Sequence, residues 1–296
     1  MGNQPLRGIL WMLVATMWMT GMHGVVRHLS GRIHPFEIAF FASLFGLLVV
    51  LPSFVRSGLA PLKTERLPMH GLRAVFHVIS MFAFFFALGM APLALVTALA
   101  FAAPVFATVI AMPMFGERIK GARWFAMLVG FAGTLVVLRP GFGDMQAGAL
   151  VALGAALFFS GVLITTKSLS RTESSITITA YMLLMMVPMT LIPALFVWRW
   201  PDGETFVWLV VIGIASAFGR LFLAQALKEA PVHVVMPVDF CRLIWATGLG
   251  YFVFGDVPDP FTWAGGTMIL GSAVAIAYWE HRLARNGSSD RTKILK

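Results

Sequence analysis

Ten apolar runs follow one another along this chain of 296 residues, and nothing else in it constrains the fold as strongly. They span 8–28, 36–56, 69–89, 93–115, 122–139, 147–167, 176–198, 206–226, 232–254 and 260–279. About twenty residues at 1.5 Å each cross the hydrocarbon core of a bilayer as a helix. Only helices satisfy their own backbone in lipid, and runs this long exclude a transmembrane β-barrel. The turns "GMAPL" and "KEAPV" are so short that runs 3 and 4, and runs 8 and 9, must stand side by side and antiparallel.

Composition agrees. Hydrophobic residues make up 59% of the chain and charged residues 12%, about half the charged share of a soluble domain. The net charge of +9 does not point to nucleic acid, because Lys and Arg lie between the apolar runs rather than in one patch. Of the 22 Lys and Arg residues, four (Arg27, Arg32, Arg139 and Arg199) fall on one side, two (Arg220 and Arg242) within spans, and the remaining sixteen on the side of the N-terminus. That bias places both termini in the cytoplasm. The first run, followed by further apolar runs, reads as a retained membrane helix rather than a cleaved signal. Cys241 is the single cysteine, which excludes an intramolecular disulfide and a multi-cysteine metal site.

The sequence also repeats itself. At an offset of 139, Ala87, Leu88, Ala91, Pro92, Val96, Phe101, Ala107, Thr108, Phe115, Gly116 and Trp124 match Ala226, Leu227, Ala230, Pro231, Val235, Phe240, Ala246, Thr247, Phe254, Gly255 and Trp263. Glu117 of "FGE" answers Asp256 of "FGD". At an offset of 140, Gly8, Leu10, Leu13, Ala15, Gly21, Leu29 and Ser30 match Gly148, Leu150, Leu153, Ala155, Gly161, Leu169 and Ser170. Each repeat holds five spans, an odd number, so the second enters the membrane from the opposite side. The expected fold is an all-α integral membrane protein of ten transmembrane helices in two inverted five-helix repeats. Residues 1–140 form the first repeat, 141–281 the second and 282–296 a basic cytoplasmic tail. Inverted repeats are a recurring architecture of secondary transporters, with the substrate held near the midplane between the halves.

The ten spans, the five-plus-five repeat and the segments "ALGMAPLALVTALAFAAPVFATVIAMPMFGERI" and "AQALKEAPVHVVMPVDFCRLIWATGLGYFVFGD" resemble the EamA branch of the drug/metabolite transporter superfamily. The resemblance runs from about residue 8 to 280. It implies a carrier of small metabolites, a class that includes amino acids, nucleotide-like metabolites, vitamins and drugs. The carriers for S-adenosylmethionine and riboflavin uptake are the most similar in flavour, with amino-acid exporters nearby. Arg220 stands where an uncharged residue such as Gln is usual in that branch, and Arg242 where a small or apolar one is.

Charge inside a span is costly, roughly 2.5–3.5 kcal/mol on insertion scales, so Asp239, Arg242 and Arg220 are the first site candidates. Asp239 and Arg242 share a face of span 9, three residues apart. Arg220 of span 8 lies at a similar depth and can reach Asp239 if the two helices face each other. Arg242 offers a planar fork for a substrate carboxylate or phosphate, and Asp239 would orient it or exchange a proton. The competing reading is a structural ion pair between spans. Arg73 and His77, four apart at the start of span 3, share a face. Arg73 is expected to snorkel to the interface, and His77 to line the cavity or titrate. His23, near Trp18 and Thr20 in span 1, is a further lining candidate. Phe101 and Phe240, repeat equivalents, can stack on a planar substrate or simply pack. Glu37 is expected among the headgroups. Pro104 and Pro237 should kink spans 4 and 9, and the small-residue series Ala122, Ala126, Gly130 and Gly271, Ala275 should allow close helix packing, with dimerisation a further use.

No HExxH, Walker-type loop, Asp-rich prenyltransferase pair or GxSxG elbow is present, and the seven His residues have no metal-ligand spacing. The chain therefore reads as a non-enzymatic carrier without a cofactor, driven by gradients or exchange, with proton coupling through Asp239 or His77 as one route. Its expected partners are a small-molecule substrate and the bilayer, with no nucleic acid, as monomer or homodimer. The substrate class expected is a small polar metabolite with an anionic group such as an amino acid. A larger planar metabolite such as S-adenosylmethionine or riboflavin, and a non-transporting scaffold, are the alternatives.

Overall fold

The computed structural model describes residues 4–56, 64–110 except 104 and 108, 121–138, 147–229 except 170 and 174, and 238–275 except 240, 258 and 273. Among the described residues the chain forms α1 (Gln4–Leu29), α2 (Pro35–Arg56), α3 (Leu67–Met90), α4 (Leu93–Ala100), α5 (Gly121–Leu138), α6 (Ala147–Leu169), α7 (Ser175–Leu195), α8 (Gly203–Glu229) and α9 (Cys241–Phe254), then α10 (260–272). These ten helices take up the ten apolar runs in order, and no strand occurs among the described residues. α1, α3, α6, α7 and α8 are long and apolar enough along their described length to cross a membrane, while α2, α4 and α9 have shorter apolar stretches.

Local chemistry sets the ends. Pro35 opens α2 and Pro68 the first turn of α3, where their missing N–H is no loss. Asp202 accepts the Thr205 backbone N–H at 2.9 Å and caps α8. Hydrogen bonds from Thr205 hold the Asp202 carboxyl below its ordinary range. At the far end of α9, Gly255 takes φ +69°, the left-handed conformation of a helix C-cap.

Two helices depart from the continuous spans. α4 stops at Ala100, passes through a turn at Phe101 and Ala102, and resumes helical geometry at Ala103. α9 begins only at Cys241, after a short 3₁₀ turn at Val238 and Asp239. In the repeat register the 3₁₀ turn at 238–239 corresponds to 99–100, so the two departures lie within two residues of each other. Interrupted helices bring irregular backbone to membrane depth, which is tolerated only inside a protein or along a cavity. The expected kink sites Pro104 and Pro237 lie outside the described residues.

The packing carries the repeat symmetry. The two most extensive interfaces are α3 on α6 and α1 on α8, and exchanging the halves converts one into the other. α2 against α7 and α4 against α9 are each their own image. A single apolar core joins Val26, Leu29, Leu88 and Leu99 of the first half to Leu209, Ile212, Leu243 and Ile269 of the second. Outward, Phe125, Leu128, Phe131, Phe252 and Val253 are exposed. α5 meets α10 closely: a Cβ on Gly133 would lie 2.8 Å from the Gly265 carbonyl oxygen, so only glycine fits. Gly130 likewise packs against Ser272 within the chain, whereas a Cβ on Gly271 would meet nothing within 4 Å. The side chains of Ala122 and Ala126 lie outside the described residues.

Polar residues tie the ends together. Arg27, in the last turn of α1, makes a bidentate ion pair with Asp256, with its Nη2 donating to Oδ1 at 2.9 Å. Its guanidinium also lies 4.4 Å from the centre of the Phe254 ring. The "FGD" triplet is thus a clamp on one cation, with the ring, the left-handed turn and the carboxylate each contributing. Glu37, expected among the headgroups, is wholly buried within the protein. It accepts the backbone N–H of Arg199 at 2.6 Å and that of His34 at 3.4 Å, which joins α2 to the connection before α8 and compensates its burial. On the side of the N-terminus, Arg66 donates to the Ser168 carbonyl at 2.9 Å, and Thr64 donates to Glu173 at 2.6 Å.

Candidate functional site

The site begins with a stripe on α1. Thr16, Thr20, His23 and Arg27 recur at helical spacing and form one face, with Thr16, Thr20 and His23 buried. Trp245 of α9 donates its indole N–H to the Thr16 hydroxyl at 3.2 Å. The His23 ring lies 4.8 Å from the Phe84 ring of α3. Trp18 lies on the other face of α1, 39% exposed, with its ring 5.5 Å from Phe218 and 6.2 Å from Phe222.

Arg242 sits in the first turn of α9, and its charge is already answered. Asp239 holds it by an ion pair, with Nε donating to Oδ1 at 3.1 Å and Nη2 to Oδ2. The fork that could grip a substrate carboxylate is therefore occupied from within. Its guanidinium lies 5.9 Å from the centre of the Phe101 ring, at the break in α4. So the ion pair, Phe101 and the α1 stripe meet where α1, α4 and α9 pack together. Phe240 lies outside the described residues.

Hydroxyls mark the same junction. In lipid a helical Ser or Thr normally donates to a carbonyl one turn back, as Ser43 does to Ala39 at 2.8 Å, Thr165 to Gly161 at 2.7 Å and Thr190 to Met186 at 2.7 Å. The hydroxyl oxygens of Thr20 of α1, Thr97 of α4 and Thr247 of α9 are buried with no hydrogen-bond partner among the described residues. A buried unpaired hydroxyl costs roughly 1–3 kcal/mol, so each of the three is stabilised by any polar group that reaches it. Thr16 and Thr20 were legible as a period on the helix. Thr97 and Thr247 carried no signal that separates them from back-bonded threonines.

A second cluster lies where α3, α6, α7 and α8 meet. Arg73 of α3 is buried rather than snorkelling, 8% exposed. Its Nε donates to the Thr166 hydroxyl at 2.6 Å, Nη1 to the Ile178 carbonyl at 3.4 Å, and Nη2 to the Met182 sulfur at 3.5 Å. Arg220 of α8 donates Nη1 to the same sulfur at 3.4 Å. Arg220 therefore turns toward α7 and not toward Asp239. Its neighbour Gly219 is set against Met19 of α1, and one residue further on, about 100° round the helix, faces elsewhere. His77, one turn beyond Arg73, has its Nδ1 buried without a partner. His77, Ser80 and Phe84 continue one face of α3 from this cluster to the first, a run of seven residues or about 10 Å from His77 to Phe84.

A crevice among the described residues lies elsewhere. It holds about 270 Å³ between α1, α8 and α9 and is lined mainly by apolar groups, among them Gly21, Gly24, Trp208, Leu249 and Val253.

Comparison with known proteins decides the family. Residues 6–139 and again 146–278 match the EamA-like transporter family. The chain belongs to that family. It is 32% identical over 289 residues to a riboflavin transporter of Vibrio cholerae, covering 96% of this chain and 97% of the relative. It is 29% identical over 277 residues to an S-adenosylmethionine uptake transporter of Rickettsia prowazekii, covering 94% of each. A pseudopaline exporter of Pseudomonas aeruginosa is 28% identical, over 91% of this chain and 95% of the exporter. One crystal structure matches with a TM-score of 0.58 at 19% identity, covering 95% of this chain and 97% of its own, a likeness of fold. The EamA-family chain is thus a multi-pass membrane transporter of small metabolites, not an enzyme, built from two inverted five-helix repeats.

Proposed function

We propose that this protein is a secondary carrier that moves a small polar metabolite with an anionic group across the inner (plasma) membrane by alternating access, with both termini cytoplasmic. The observation that carries this reading is the junction of α1, α4 and α9. There a paired charge lies beside an aromatic ring, and the same three helices each carry a buried hydroxyl with no partner among the described residues. Unsatisfied polar groups in lipid are expensive unless a ligand or water completes them. Residues 1–140 and 141–281 are the moving halves, and 282–296 the basic tail. The interruptions at Phe101 and before Cys241 are where the halves change shape around the substrate.

The rings favour a substrate with a planar part. The His23 ring lies near Phe84 and Arg242 lies near Phe101, and the names of the riboflavin and S-adenosylmethionine relatives are in keeping with a planar part.

Counterflow tests the reading. Proteoliposomes preloaded with unlabelled S-adenosylmethionine, riboflavin or an amino acid are diluted into the labelled counterpart. Transient accumulation above that of protein-free vesicles is expected for one of them. Vesicles that match the protein-free control for every compound would count against the carrier reading. If Asp239 or His77 carries a proton in the cycle, an imposed pH gradient changes the initial rate, and an unchanged rate removes that coupling.

A further inference from the structure

We infer that Arg73 and Arg220 form an oxyanion subsite which holds the carboxylate or phosphate of the transported metabolite, an assignment that rests on the carrier reading above. A guanidinium carries five N–H donors and no acceptor. Arg220 has one hydrogen bond, to the thioether of Met182, and a thioether is a weak acceptor. Arg73 shares that sulfur and adds a hydroxyl and a carbonyl, neither of them charged. Among the described residues no carboxylate pairs with either arginine. Glu173, the acid at this end of α6, is engaged by Thr64. Two positive charges thus stand together inside the bundle without a counter-charge among the described residues, where even an isolated one is costly.

Geometry says what fits. The two nitrogens that meet the sulfur are 3.5 Å and 3.4 Å from it, so they are at most about 7 Å apart. A carboxylate or phosphate that accepts one N–H from each, at about 2.8 Å, spans such a gap. His77 is the second, independent sign of a ligand. Its Nδ1 is buried and unpaired one turn above Arg73, and as an N–H tautomer it donates to the same anion. Met182 therefore occupies a place that an oxyanion fills better. The same face of α3 leads from His77 to Phe84, whose ring meets His23. A metabolite with its anionic end on Arg73 and Arg220 can lay its planar end beside the α1–α4–α9 junction.

The test uses the full-length purified protein and sodium phosphate as the probe, with thermal unfolding followed by tryptophan fluorescence. Sodium chloride at matched ionic strength is the reference. A ligand of the folded state raises Tm by mass action. Phosphate should raise the Tm of the wild type by several degrees over chloride, and Arg73→Gln and Arg220→Gln should each lose most of that rise. Arg32→Gln, on the exposed surface, should keep it. A wild type with no phosphate-specific rise, or a rise that survives in both Gln variants, would overturn the subsite. Where a Gln variant does not fold, Arg220→Lys keeps the charge but loses the fork. It should keep less than about half of the rise, and an undiminished rise counts against the assignment. Nanodiscs of phosphatidylcholine with and without phosphatidylglycerol separate the two sources of such an oxyanion. A phosphate response equal in both assigns the site to a soluble metabolite. A response abolished by phosphatidylglycerol assigns it to a lipid headgroup and overturns the metabolite. Counterflow on the same preparations distinguishes failure of the subsite from failure of the carrier: transport without a phosphate response rejects the subsite alone, and a phosphate response without transport rejects the carrier.

Discussion

Arg242 and Arg220 carry the same charge into the same bundle, yet their surroundings are opposite. Arg242 has a carboxylate three residues away and is gripped through two nitrogens. Arg220 has a sulfur atom shared with a second arginine. A paired intramembrane charge is stable without a ligand and can shape a site. An unpaired one is costly until a ligand arrives, which is the property a transport site needs.

The strongest consequence is a difference of sign. Asp239→Asn leaves Arg242 with no counter-charge and should lower unfolding stability by about 3 kcal/mol. Arg220→Gln relieves a repulsion and should leave stability unchanged or raise it. Chemical denaturation of both variants in one detergent checks this, and equal losses would erase the distinction. Next in size, Arg27→Ala removes a bidentate pair and a ring contact and should cost about 2 kcal/mol. Arg32→Ala breaks an exposed pair with Glu204, with side chains 44% and 60% accessible, and should stay within about 0.5 kcal/mol. Gly255→Ala should cost about 1 kcal/mol in the same assay, because φ +69° suits glycine. A further effect belongs to the contact of α9 with α1. Trp245→Phe loses the bond to Thr16 and should cost about 1 kcal/mol or less, whereas Trp18→Leu, on the outer face, should leave transport unaltered.

Much of this was legible in the residues. Length and hydropathy locate the ten helices, because a run of apolar residues in lipid has no alternative to helix. The repeat and the odd number of spans give the inversion. "FGE" and "FGD" stand out as matched motifs, and the second is seen as a cation clamp only once Arg27 is placed beside it. The pairing of charges was less accessible. Asp239 had two arginines within reach, and a rotation of α8 about its axis, invisible in a one-dimensional pattern, decides for Arg242. Glu37 looked like a headgroup residue because its partners are backbone N–H groups, one of them 162 positions away. Arg73 looked like a snorkelling cation because the acceptors that bury it belong to α6 and α7.

The central claim is that the polar groups gathered from both halves constitute a transport site. Counterflow in sealed proteoliposomes with folded wild type, Asp239→Asn, Arg242→Ala and Arg220→Gln tests it most directly. Accumulation by the wild type, reduced at least about tenfold in each variant, is the predicted result. Arg242→Ala and Asp239→Asn that both transport at the wild-type rate would contradict it.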